Sequence, residues 1–175
     1  MDEIDLELQP TKVITVDAIG KPGERVFYLQ GRTDEQVVTL LVEKIHVQTL
    51  VMGIEQFMAE LLKKVPDLAA ASSAYDENEM KILPPVDPLF RVGDLSMGYD
   101  IENDLIVVIA HEDLSGVSED EKMSVVRFWC TRSQVLALAK WGAEVLSKGR
   151  PTWPSSGEPI LPIDQFSPKN NGHKH

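Results

Sequence analysis

One order of elements occurs twice along this chain, and that restricts the fold more than any other feature. KVITVDAIG (Lys12 to Gly20), RVFYLQGR (Arg25 to Arg32) and VVTLLVEK (Val37 to Lys44) are short β-branched runs separated by turn chemistry, Gly20, Pro22 and Gly23 in the first gap and TDEQ in the second. Three antiparallel strands in a meander is the economical reading. From Ile45 the period changes: Val47, Leu50, Val51, Ile54, Phe57, Met58 and Leu61 recur at spacings of three and four, one apolar stripe on a helix. That helix is expected to end near Lys63 or Lys64, ahead of Pro66 and with cations in its last turn, where the dipole favours them.

The order then begins again. LFRVGDLSMGYD and NDLIVVIAHED read as strands joined by a tight DIEND turn, and MSVVRFWC reads as a third strand after the acidic loop LSGVSEDEK. TRSQVLALAKWGAEVLSKG follows as a helix opened by a Thr131-x-x-Gln134 capping box and closed by Gly149. Each half is a three-stranded sheet with one helix, too little apolar surface to bury a good core alone. The expected fold is therefore α+β: two βββα halves related by a pseudo-two-fold, with antiparallel sheet covered by the two main helices. One six-stranded sheet and two facing sheets both satisfy the pattern. Residues 1–66 form the first half, 67–88 a linker with a short helical turn, 89–149 the second half and 150–175 an irregular tail. The halves share one domain.

Composition narrows the function classes. Lys plus Arg number 17 against 28 for Asp plus Glu, a net charge of -11. Such a field repels phosphate backbones and anionic lipid, so neither nucleic acid nor membrane is an expected partner. The start MDEIDLELQP has no basic segment followed by an apolar run, and no stretch has the roughly 18 apolar residues of a spanning helix. A cytoplasmic protein is expected. With Cys130 as the sole cysteine, there is no internal disulfide and no Cys-x-x-Cys clip.

Several residues are of types that carry chemistry. Cys130 sits between a strand and a helix N-terminus, where a thiol can be activated, and His46 or His111 would have to serve as its base. A small buried residue at a strand end is the simpler account of it. The carboxylates of HED and SEDE lack the spacing of a calcium loop and read as a solvated acidic loop. GKPGER lacks the Gly-Lys-Ser/Thr ending of a phosphate-cradling loop and enters a strand, so it reads as a hairpin turn. Arg25, Gln30, Arg32, Arg91 and Arg127 fall on expected strands and would make a polar binding surface if several shared a face; salt-bridged surface residues are the default reading.

The blocks GKPGERVFYLQGR, LLVEKIHV, FRVGDLSMGYD and SQVLALAKWGAEVLSKGRP, with the closing NNGH, together resemble a bacterial family of uncharacterised proteins, the domain-of-unknown-function family 3090. The resemblance runs from about Leu8 to His173 and implies a soluble intracellular protein with no established activity. It also implies something about the tail, which carries prolines at 151, 154, 159, 162 and 168. Many members carry there a Cys-Pro-x-Cys-Gly-x-Pro knuckle, then a His and a Cys-Pro, spaced as a fourfold zinc site. In this sequence those ligand positions hold Trp153, Ser156, Gln165 and Ser167, so no metal and no cofactor is expected. The frame of prolines and glycines remains, a degenerate zinc knuckle. Trp153, Ile160, Leu161, Ile163 and Phe166 are then expected to hold the tail by packing onto the domain or onto a second copy, and His173 and His175 are expected to lie in a disordered terminus.

The function that follows is a non-catalytic binding, regulatory or accessory protein working through a protein partner or self-association. The alternative is a small-molecule or phosphoester enzyme that uses the strand arginines with Cys130 or His111. Nucleic-acid binding, a third class, suits knuckle-bearing relatives better than this acidic chain.

Overall fold

The structure is a computed structural model of the 175-residue chain that describes residues 3–116 and 121–148. In chain order its elements are β1 (Asp5–Leu8), β2 (Val13–Ile19), β3 (Val26–Arg32), β4 (Val37–Val42), α1 (Lys44–Lys64), the single turn α2 (Glu77–Met80), β5 (Val92–Asp100), β6 (Leu105–Glu112), β7 (Val125–Cys130) and α3 (Arg132–Lys148). The architecture is α+β, with the order of three antiparallel strands and a helix present twice. Gly149 and the whole tail lie outside the described residues, including Trp153, Ser156, Ile160, Leu161, Gln165, Phe166 and Ser167.

The strands form two sheets, ordered β2-β3-β4 and β1-β7-β6-β5. Each meander is antiparallel, with Val16 opposite Leu29 in the first and Val108 opposite Phe128 in the second. The sheets face one another. A Cβ on Gly31 of β3 would lie 2.4 Å from the Phe128 ring of β7 and 3.2 Å from Leu8 of β1, so only glycine lets that ring seat against the opposite strand. Leu8, Leu29, Leu40, Ile106 and Phe128 are fully buried between the layers. Burial of each such side chain is worth about 1.5–3 kcal/mol.

β1 is an element that local pattern does not announce. Its four residues lie in an acidic segment, and it pairs in parallel with β7, Asp5 opposite Val125 and Leu8 opposite Phe128. The first half thus contributes a strand to the sheet of the second. The helices are exchanged too: α3 packs on β2, α1 on β5, and the two helices pack on each other. They approach closely at Gly142, where a Cβ would meet Val51 of α1 at 2.8 Å and Val16 of β2 at 3.5 Å. Trp141, buried beside it, donates its indole N–H to the Val16 carbonyl at 2.6 Å.

The expected capping box on α3 is present: the Thr131 N–H donates to Gln134 Oε1 at 2.7 Å, and the Gln134 N–H donates to Thr131 Oγ1 at 3.1 Å. α1 begins earlier than the strand pattern suggests. β4 stops at Val42, and Glu43 takes extended geometry as the N-cap. The Glu43 N–H donates to His46 Nδ1 at 3.0 Å, so this imidazole fills the place that Glu or Gln usually takes in such a box.

Candidate functional site

The residues singled out from sequence separate into four places. Gln30 is fully buried and every polar atom of its amide is used: Nε2 donates to Thr39 Oγ1 and the Leu83 carbonyl, and Oε1 accepts from the Leu83 N–H and from Arg32. Arg32 reaches on to the Glu79 carbonyl at 2.6 Å, at the α2 turn. Both side chains therefore strap residues 79–83 to the first sheet. Partial burial lowers the Arg32 pKa, with Glu79 opposing that shift. Arg127 lies elsewhere, 2.9 Å from Asp5 across the β1–β7 pair.

Cys130 is buried, with its thiol directed at the Phe128 carbonyl at 3.5 Å. Burial pushes its pKa up to about 12, the reverse of what a nucleophile needs. The β6–β7 register places it opposite Ile106, whereas His111 is opposite Val125. Five residues of strand, about 17 Å, separate the two. His46 and His111 do come to the same end of β5: His46 Nε2–H donates to the Gly93 carbonyl at 3.2 Å, and His111 Nδ1 lies 3.7 Å from Asp94 Oδ1 without a hydrogen bond. A bulge at Val92/Asp94 turns this end of β5, and a Cβ at Gly93 would press within 3.0 Å of Asp113 Cα. Among the described residues no three His, Cys, Asp or Glu side chains form a set suited to a metal ion.

Arg25 and Arg91 do converge. With Lys44 they line a groove of about 550 Å³ between the β2–β3 turn, the end of β4 and the start of α1, with Val26 and Phe27 in its apolar wall and Glu43 its one acid among the described residues. Arg25 donates to the Val145 carbonyl in the last turn of α3 at 2.7 Å, a cation at the negative end of that helix, and lies 5.0 Å from the centre of the Phe27 ring. Desolvation lowers its pKa, which Asp17 partly offsets. Arg91 precedes β5, in a parallel pairing with Leu41, and lies 3.9 Å from Glu43. The pattern reading missed Lys44, because it placed this residue at the end of a strand rather than the start of a helix.

A second groove, of about 760 Å³, was not legible from sequence at all. It runs between α1 and β5 and is lined by Gly53, Phe57 and Leu61 on the helix, by Val65 just past its end, and by Met97, Tyr99 and the exposed Ile101 beyond the strand, with Gln56, Glu60 and Lys64 at its rim. β5 is the last strand of its sheet, paired on one side with β6. Among the described residues no strand pairs with its other side. The two edges of the other sheet are better covered: the chain at 89–91 bonds to β4 through Leu41 and Thr39, and Trp141 with the linker lies along β2. One end of the groove is anchored by a polar chain in which the Tyr99 hydroxyl donates to Asp104 at 2.8 Å and Asp104 accepts two bonds from the Arg132 guanidinium, at 2.8 and 3.0 Å. Arg132 also donates to the Ala69 carbonyl at 2.7 Å, so linker, turn and α3 meet at this point.

The chain matches one family model, described as Protein of unknown function (DUF3090), over residues 6–166. No curated protein and no solved structure matches it.

Proposed function

This chain belongs to the DUF3090 family of proteins of unknown function, and from that premise we propose that it is a non-catalytic binding protein that takes an extended segment of a partner protein alongside β5. The observation that carries this reading is the unpaired side of a nine-residue edge strand lying next to an apolar groove. An added strand gains main-chain hydrogen bonds from the edge, and every second side chain enters the groove against Phe57, Met97 and Tyr99.

Charge selects the occupant. Asp94 and Asp100 lie near the two ends of the strand and Glu60 stands with Lys64 on the rim, within a protein of net charge -11. A segment of alternating apolar residues with Lys or Arg at its ends fits this edge. A second copy fits less well, since antiparallel pairing of two β5 strands centred on Met97 sets Asp94 against Asp100. The enzyme alternative has less support: burial deactivates the Cys130 thiol, His111 lies far along the strand from it, and among the described residues the arginine groove is lined by no thiol, hydroxyl or imidazole.

Gly53 supplies the test. A Cβ there meets only the end of Met97, at 3.7 Å, and a glycine inside a helix is a poor helix former, so Gly53→Phe should fold and plug the groove. A displayed library of extended peptides, selected on the full-length protein, should yield alternating apolar sequences flanked by cations. Their affinity should fall by roughly tenfold or more on Gly53→Phe, the loss of a buried anchor of about 1.4 kcal/mol or more. Equal binding to both proteins would sink the proposal, and so would a wild-type dimer that the substitution dissociates.

A further inference from the structure

The basic groove points to a different occupant, by an argument independent of the β5 edge. Among the described residues three cations, Arg25, Lys44 and Arg91, line it against the single carboxylate of Glu43. Asp17 and Asp113 act on Arg25 and Arg91 from outside the lining, and among the described residues Lys44 has no ion-pair partner. Gathering positive charge in one place is unusual on a chain with 28 acids and 17 bases. The wall between the cations is apolar, with Val26, 42% exposed, and the buried Phe27 both contributing to it.

We propose that the segment Glu158 to Asp164 of this chain's own tail docks in that groove. Position supports it first. Arg25, a wall of the groove, holds the Val145 carbonyl, so the chain leaves α3 after Lys148 close to the site. From Lys148 to Glu158 the chain can span up to about 33 Å, ample to fold back across a neighbouring groove. Charge supports it second. Glu158 and Asp164 are the only acids in residues 149–175, and they bracket the apolar run Pro159, Ile160, Leu161, Pro162, Ile163. An anion, a short apolar stretch and a second anion complement cations around an apolar wall, and two prolines reduce the entropy lost when such a segment is held extended.

The test uses the full chain with two introduced cysteines, since the buried Cys130 thiol does not compete. Val26→Cys with Gln165→Cys should close an intramolecular disulfide under mild oxidation, read by mass spectrometry on the monomer. Glu144→Cys with Gln165→Cys is the tether control, because Glu144 is exposed on α3 just before the tail begins but lies outside the groove lining. Docking predicts a rate for the Val26 pair that exceeds the control roughly fivefold or more, the weight of one or two ion pairs. It also predicts that Lys44→Glu with Arg91→Glu abolishes the excess, that Glu158→Lys with Asp164→Lys does the same, and that combining the two sets restores it. Equal rates at Val26 and Glu144, an excess indifferent to both charge reversals, or a disulfide that joins two chains would each overturn the proposal.

Discussion

Arg132 is the one charged side chain buried among the described residues, at 7% exposure, and its fork is filled by Asp104 and the Ala69 carbonyl. Asp104 itself stands at a φ of 52°, a left-handed turn conformation that Asp tolerates, and its carboxyl is held below the usual range first by the Arg132 hydrogen bonds and then by the Tyr99 hydroxyl. A depressed folded-state pKa contributes stability that is present above the unfolded value of about 3.9 and is lost as pH falls through the folded one. Asp104→Asn should therefore lower stability by about 2 kcal/mol near neutral pH, the scale of a charge-assisted hydrogen bond in a half-exposed setting. The gap from wild type in urea midpoint should narrow as pH is lowered below about 4. A gap that stays constant with pH would contradict this role. Sequence reading passed over Arg132 because its partners are 28 and 63 residues away, whereas Arg25, Gln30 and Arg32 were conspicuous by type and spacing. Their division between a groove wall and a linker strap depends on where residues 79–83 and the end of α3 lie, which no local pattern encodes.

The elements themselves were largely written in local chemistry. Period and turn residues locate both helices and six of the seven strands to within a few residues, since each buries one face against a neighbour whatever that neighbour is. The boundary at β4 and α1 shows where such reading stops. Glu43 is an uncommon N-cap, and His46 acts as a cap only because its Nδ1 accepts from the Glu43 N–H while Nε2–H holds the Gly93 carbonyl. His46→Ala should destabilise the protein by about 1 kcal/mol, as loss of a cap does, and His46→Gln should recover much of that because an amide oxygen can accept the same N–H. Thermal unfolding of the two variants side by side checks it. Equal losses would place the role of His46 in its contact with β5 rather than in the cap.

For the whole molecule, the exchange of β1 and of both helices means that neither half contains its own covering layer. Fragments 1–66 and 67–175 should each lack a cooperative unfolding transition alone and regain one when mixed, as followed by circular dichroism; a fragment that melts cooperatively by itself would contradict the exchange. The repeat was visible in the order of elements, but the exchange was not, because both arrangements bury the same stripes. The β1–β7 pairing also sets a schedule. Asp5 is made well before its partner Val125, which follows 120 positions later. At about 5–20 residues per second the first strand waits on the order of 10 s after it is made before its ladder exists. During translation that strand is an orphan, and its side of the sheet closes only after β7 has left the ribosome.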